Sequence, residues 1–396
     1  MLNFAGTRGD NESILELTDI QNAGALKDHP LEIQVNVKLT EGEGILPLVY
    51  DGQHVILGGD PYKDDAGATH IKIDHLPGVA DRRRSLGGSL KLYFFKTLLR
   101  QDNVNQLRWV DYQSDGSFVY QKTGIGDKVA AARNILLLVH GIIGDTEGMA
   151  KGVHACGLDA NFDLVLTYDY ENLSTPIPVT ARTLKTQLAA AGLQEGDNHR
   201  LTLLVHSMGG LVSRWFIERE GGNQVVDHLV MCGTPNNGSP FGKVDGARKI
   251  MSVLMGLSLN YVPVLIPFSS AMLLLLNKSK GLTPTLEQMN PASDFIQTLN
   301  TSPDPGIPYT ILAGDVGAYQ EPSDPFFDKM MTKAGQSFLF EALFARQAND
   351  IAVGVESIRR IEGHRAIAPD CRDVACHHLN YFLSEAGQRA LRAVKW

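Results

Sequence analysis

The chain reads as an α/β protein in which a mainly parallel, helix-flanked sheet occupies residues 126–396 and a smaller β-rich domain precedes it. Two contrasts in patterning carry this reading. From Leu31 the apolar residues recur at every second position. Leu31, Ile33, Val35, Val37 and Leu39 alternate with Glu32, Gln34, Asn36 and Lys38, as in half-buried strands. Beyond about residue 126 the apolar runs become continuous and alternate with helical stretches, as strands covered on both faces require. A third feature, the charge-free stretch Met251–Asn277, reads as an apolar helical cap inserted at about 242–300.

Taken in order, residues 1–28 form a polar segment expected to be loosely ordered. Strands are then expected at Leu31–Leu39, Ile45–Tyr50, His54–Leu57, His70–Leu76, Lys91–Leu98 and Gln106–Tyr112. Ser114-Asp115-Gly116 turns the last of these into Ser117–Gln121, a hairpin. With no helix between them, these strands suit a sandwich- or barrel-like domain over 29–125. It contains no catalytic constellation, so a structural role or docking of a protein partner is expected. In the second domain, buried strands are expected at Asn134–Val139, Leu164–Thr167, Leu201–Val205, Leu229–Cys232 and Tyr309–Leu312. Helices are expected at Val179–Ala191 and at Met208–Glu220, the latter ended by Gly221-Gly222.

Composition narrows the function classes. A length of 396 residues suits two domains, and 43% hydrophobic with 20% charged residues is ordinary for a globular chain. The net charge of -8 argues against general nucleic-acid binding. Cys156, Cys232, Cys371 and Cys376 form no CxxC pair, which favours a reducing compartment. Cys371, Cys376, His377 and His378 crowd together without a matching second pair, so neither metal nor cofactor is expected. The N-terminal stretch MLNFAGTRGDNES lacks the basic and apolar parts of a secretory signal, and a cytoplasmic location is expected. By length alone Met251–Asn277 could cross a bilayer. A single crossing there would separate Ser207 from the downstream histidines, and Pro263 and Pro267 split the run into two short helices. A mobile cap over a site fits better, with transient contact to a lipid surface as an allowed extension.

The chemistry centres on Leu203-Leu204-Val205-His206-Ser207-Met208-Gly209-Gly210. An apolar strand ends in a serine and a helix follows at once, with small residues where a sharp turn needs them. Val205 occupies the position where the G-x-S-x-G pattern has glycine. A serine hydroxyl needs a base, an acid that orients the base, and N–H donors for the developing oxyanion. Upstream, Leu136-Leu137-Leu138-Val139-His140-Gly141-Ile142-Ile143-Gly144 is a strand running into a His-Gly turn. With these two motifs the chain resembles the lipase and esterase branch of the α/β-hydrolase fold. The resemblance implies that the N–H groups of Ile142 and Met208 form the oxyanion hole. Further landmarks follow in order. Tyr168-Asp169-Tyr170 is similar to the "DY" ending the fourth strand of many lipase-like hydrolases. Gly233-Thr234-Pro235-Asn236-Asn237-Gly238-Ser239 resembles "GTPHxGS", with Asn236 in place of histidine.

The same resemblance orders the remaining groups as serine, acid, histidine. Asn349-Asp350-Ile351-Ala352-Val353 with Ser357 is similar to "NDGxV…S", with Ile351 in place of glycine, and makes Asp350 the expected acid. Asp315, after the strand at Tyr309, is the alternative. Cys376-His377-His378-Leu379-Asn380-Tyr381 resembles a "DHxxY" segment, making His378 the expected base and His377 the alternative. His206 is expected to pack against the oxyanion turn. The resemblance is strong from Asn134 to about Phe241, looser from Pro308 to Trp396, and absent over residues 1–125. The implied activity is hydrolysis of carboxylic esters, with lipid-like or apolar acyl groups suggested by the cap. Acyl transfer by the same groups and a non-catalytic scaffold with a hydrolase fold are the rival readings.

Overall fold

A computed structural model describes residues 2–3, 12–17, 28–36, 43–50, 55–57, 60–64, 68–73 and 90–98 of the first part of the chain. From Asn105 onward it describes all residues except 114–116, 143–145, 173–174, 244–246, 248–249, 251–283, 320–343 and 345–346. The expected apolar cap over Met251–Asn277 therefore lies outside the described residues. Among those described, no helix is long and apolar enough to cross a membrane.

The chain divides into two compact units. The first holds β1 (Leu2–Asn3), β2 (Glu12–Leu17), β3 (Leu31–Asn36), β4 (Glu43–Tyr50), β5 (Val55–Leu57), β6 (Asp60–Lys63), β7 (Thr69–Ile73) and β8 (Leu90–Leu98). They make two four-stranded sheets, ordered β1-β3-β7-β6 and β2-β8-β4-β5. The alternation read from Leu31 has its structural counterpart here. Ile33 pairs with Ile71, and Ile33, Ile71 and Ile73 are buried while Glu32 and Lys72 between them are exposed. The segment 1–28, expected to be loosely ordered, instead supplies two strands: β1 pairs in parallel with β3 and β2 antiparallel with β8. Their short, mixed composition concealed them, because pairing across distant sequence leaves no local mark.

The second unit comprises Asn103–Ile250 and Lys280–Trp396. Its strands are β9 (Gln106–Tyr112), β10 (Phe118–Gln121), β11 (Asn134–Val139), β12 (Leu164–Asp169), β13 (Arg200–His206), β14 (Val226–Cys232), β15 (Tyr309–Gly314) and β16 (Asp370–Val374). The sheet order is β10-β9-β12-β11-β13-β14-β15-β16, parallel throughout except for the β9–β10 hairpin and its junction with β12. Its helices include α1 (Ile125–Ala131), α2 (Thr146–Ala155), α3 (Ile177–Ala190), α4 (Met208–Arg219), α5 (Pro284–Gln288), α6 (Asp294–Asn300), α7 (Val355–Arg359) and α8 (Glu385–Arg392). This crossed order around β11, with a helix leaving directly from the end of β13, is the α/β-hydrolase fold.

The hairpin corrects the expected boundary at residue 125. The patterning assigns Gln106–Tyr112 and Ser117–Gln121 to the small β-rich domain, yet Gln106–Tyr112 and Phe118–Gln121 form the antiparallel edge of the large sheet. Their period-two pattern marks strands without stating which sheet they join. Pairing with β12, some sixty residues away in sequence, decides that; Leu166 lies opposite Trp109. Strand β16, with sequence Asp-Cys-Arg-Asp-Val, was not expected because its side chains are mostly exposed at the other edge.

The central strands are buried on both faces, which explains their unbroken apolar runs. Leu136, Leu138, Leu204, Val230 and Leu312 share one face with Met149 and Val153 of α2 and Leu391 of α8. The alternate residues Leu137, Leu203, Val205 and Met231 point the other way, and all four are fully buried. Thus Val205 is a core residue of β13, paired with Val139 and Met231 on its neighbours.

Candidate active site

The serine turn is built by strand β13 ending and helix α4 starting with no loop between them. Ser207 absorbs the whole change of direction, with φ 52° and ψ −127°. That backbone region is strained for any residue with a Cβ. The turn brings backbone so close to its neighbours that glycine is required just after the serine and on the turn that faces it. A Cβ on Gly209 would sit 2.3 Å from the carbonyl oxygen of His140, and one on Gly210 would sit 2.0 Å from Thr234 Oγ1. A Cβ on Gly141 would sit 2.6 Å from Ser207 Cβ. The His-Gly turn after β11 therefore lies directly against the serine. Val205 falls before the bend, in regular strand, where a large side chain has room in the core.

Two loops from distant sequence continue a chain of hydrogen bonds from Ser207. His378 Nε2 accepts from the Ser207 hydroxyl at 2.9 Å, and His378 Nδ1 donates to Asp350 Oδ2 at 2.7 Å. The remaining carboxylate oxygen, Oδ1, accepts the N–H groups of Ala352 at 3.0 Å and Val353 at 2.8 Å. Both side chains are buried to within 1% of their surface. The His378 amide also donates to the Asp350 carbonyl at 2.8 Å, so the two loops are tied by backbone as well. Asp315 is not in this chain of hydrogen bonds: its carboxylate accepts the Gly317 amide and caps a short turn. His377 points elsewhere, with Nδ1 accepting the Leu379 amide and its ring edge-on to Tyr319.

The motif residues around Asp350 hold its loop in place. Ser239 Oγ donates to the Ala352 carbonyl at 2.7 Å, Ser357 Oγ to the Gly238 carbonyl at 2.6 Å, and Asn236 Nδ2 to the Ile358 carbonyl at 2.6 Å. The segment resembling "GTPHxGS" thus buttresses the loop that bears Asp350. Behind Asn236 lies Arg214 of α4, fully buried, bonded to Glu218, Asn236 and Asn300. Arg365 and the Tyr309 hydroxyl reach the same Glu218 carboxylate.

The His-Gly turn is held equally firmly by the end of β12. His140 Nδ1 donates to the Gly141 carbonyl at 2.7 Å while Nε2 accepts the Tyr170 amide at 3.2 Å, which fixes the neutral tautomer. That bond orients the peptide joining Gly141 to Ile142, and with it the Ile142 N–H. The Tyr170 hydroxyl donates to the His140 carbonyl at 2.7 Å and Asn172 Nδ2 to the Ile142 carbonyl at 3.0 Å. At the far side of the turn the Thr146 hydroxyl donates to the Asp169 carboxylate at 2.9 Å, and Arg108 of β9 pairs with that carboxylate. Met208 opens α4, so its N–H belongs to the first helical turn, which has no acceptor within the helix.

Two histidines near Ser207 are held neutral. Burial, then repulsion from His378, lowers His206 to about 3 and His377 to about 3. His206, expected to pack against the His-Gly turn, has its ring engaged with the loop that bears His378. Its Nε2 donates to the His378 carbonyl at 2.7 Å, and its ring stands 4.7 Å from that of His378. Sequence reasoning also passed over Asn172, Arg214 and the hydroxyl of Tyr381. Only Tyr381 left a signal, as the closing letter of the "DHxxY" segment. Among the described residues no group of three or more His, Cys, Asp or Glu side chains is placed to hold a metal ion.

No curated protein matches the sequence. Solved structures similar to the chain include the mature lipase BlEst2 of Bacillus licheniformis, at 13% identity over 73% of this chain and 96% of that one, TM-score 0.43. The phospholipase PlaB of Legionella pneumophila is similar at 16% identity over 57% of this chain and 45% of that one, TM-score 0.37. A thermophilic esterase of Thermogutta terrifontis is similar at 14% identity over 66% and 88%, TM-score 0.37. A family model described as "Domain of unknown function (DUF7379)" matches residues 100–394, a span that takes in the whole eight-stranded sheet together with Ser207, Asp350 and His378, and the chain belongs to that family.

Proposed function

We propose that the protein is a serine hydrolase of carboxylic esters acting through an acyl-enzyme intermediate. The observation that carries this reading is the buried chain Ser207–His378–Asp350, with hydrogen bonds of 2.9 and 2.7 Å. Ser207 attacks the ester carbonyl while His378 takes its proton. His378 then gives that proton to the leaving alcohol. Asp350 holds the tautomer that leaves Nε2 free to accept, and stabilises the imidazolium that forms. The N–H groups of Ile142 and Met208 receive the oxyanion. The contact of Gly141 with Ser207 and the pinning of the Gly141–Ile142 peptide by His140 support that assignment. Water, deprotonated by His378, releases the acyl group.

The preference for lipid-like or apolar acyl groups rests on the composition of Met251–Asn277, since pockets for acyl chains are lined by such side chains. Transient contact of that segment with a lipid surface belongs to the same proposal. Labelling by a fluorophosphonate probe tests the mechanism. The wild-type protein is expected to label, and Ser207→Ala is expected not to. A folded wild-type protein that does not label would sink the reading. Rates on p-nitrophenyl esters of short and long acyl chains test the substrate class, and release of transesterified product in added alcohol distinguishes transfer from hydrolysis.

A further inference from the structure

Asp350 has a partner that the serine mechanism leaves unused. The Tyr381 hydroxyl donates to Asp350 Oδ2 at 3.0 Å, on the same oxygen that accepts from His378 Nδ1. The phenol oxygen in turn accepts the Gly314 amide at 2.7 Å. The carboxylate is thus saturated: two backbone amides on Oδ1, the imidazole and the phenol on Oδ2.

The fold makes room for this phenol at two separate strand ends. A Cβ on Gly314, closing β15, would sit 2.6 Å from the Tyr381 hydroxyl. A Cβ on Gly233, just past β14, would sit 2.8 Å from both Asp350 Oδ2 and the Tyr381 ring. Tyr381 is itself 1% exposed. Burial, then the charge of Asp350, holds its hydroxyl well above the ordinary value, so it remains a neutral donor. Among the described residues, the other titratable groups packed around the cluster are His206, His377, His378, Cys232 and Cys376.

We infer that Tyr381 is a positioning residue that sets how strongly Asp350 stabilises protonated His378. A carboxylate that accepts a second charge-assisted hydrogen bond has less basicity to offer the imidazolium. The phenol therefore tempers the Asp350–His378 pair and fixes the rotamer of the carboxylate. This rests on the ester-hydrolase reading of Ser207.

The test is the pH dependence of fluorophosphonate labelling in the full chain, with p-nitrophenyl butyrate turnover beside it. In Tyr381→Phe, which removes only the hydroxyl, the acidic limb is expected to move up by about half to one pH unit. On the acidic limb the labelling rate is expected to fall about three- to tenfold, with kcat falling there and KM unchanged. In a protein carrying 3-fluorotyrosine at position 381, a stronger donor of nearly the same shape, the limb is expected to move down. Opposite shifts are not produced by a merely structural defect, and the fluorinated protein decides the matter should Tyr381→Phe fail to fold. Limbs unmoved from a labelled wild type would overturn the role of Tyr381 and leave the hydrolase reading standing. A wild-type protein that does not label overturns both.

Discussion

Among the described residues, three other than glycine have positive φ, and at Ser207 and Ile351 the side chain resists it where asparagine, at Asn105, tolerates it. Ser207 has φ 52° and Ile351 has φ 89°, and both lie in loops that meet at His378. The Ser207 conformation is that of the first central position of a type II′ turn, ordinarily glycine. Such strain is of order 1–3 kcal/mol. Ser207→Gly is therefore expected to melt higher than Ser207→Ala, by about 1 kcal/mol once the extra chain entropy of glycine is counted. Equal melting temperatures for the two variants would contradict it. Ile351 takes the place of glycine in the lipase-like "NDGxV" pattern, and here a β-branched residue keeps the backbone that glycine would adopt freely. It is 1% exposed. Burying such a side chain is worth roughly 1.5–3 kcal/mol, enough to offset the strain.

At the scale of elements, the site depends on how closely α4 approaches β11. The atoms that a Cβ on Gly209 would meet are backbone oxygens of His140 and Val139, which cannot rotate away. Gly209→Ala is thus expected to displace the His-Gly turn, and a shift of that order costs roughly 10²-fold in labelling rate. Wild-type labelling by Gly209→Ala would show that the turn yields more easily than the contacts imply. Helix α4 also carries Arg214, whose donors tie it to the segment bearing Asn236 and to Asn300. Removing one member of a buried ion network leaves the others uncompensated. Arg214→Met is expected to lower unfolding free energy by about 3–5 kcal/mol, read from urea melts. A loss under about 1 kcal/mol would mean that Arg365 alone neutralises Glu218.

For the whole molecule, the neutral histidines predict how stability follows pH. His206 and His377, each lowered to about 3 when folded, regain an ordinary value near 6.5 when unfolded. Between those limits the unfolded chain binds more protons, so their contribution is full above about pH 6.5 and is lost as pH falls towards 3. Each contributes a slope of about 1.4 kcal/mol per pH unit. Urea midpoints are expected to be level near pH 7.5 and to drop steeply by pH 5. A flat profile across that range would contradict the neutral assignment.

The central strands, helices α3 and α4 and the serine turn were legible in the chain because each rests on local pattern: unbroken apolar runs, helical periodicity, and glycines at fixed offsets. The small β-rich domain was legible only in part, since its alternation names strands and not their partners. Sheet membership of the β9–β10 hairpin, the strands within residues 1–28 and the exposed edge strand β16 were decided by pairing over long sequence distances, which leaves no periodic trace. The same holds at the site. Sequence offered Asp350 or Asp315 as a candidate acid and His378 or His377 as a candidate base. Only the tertiary structure brings one member of each pair within hydrogen-bonding reach of the chain from Ser207. It also turns His206 toward the His378 carbonyl and seats the Tyr381 hydroxyl on Asp350. A hydrogen bond between loops is a property of where the backbone ends meet, and composition along any one loop does not encode that meeting.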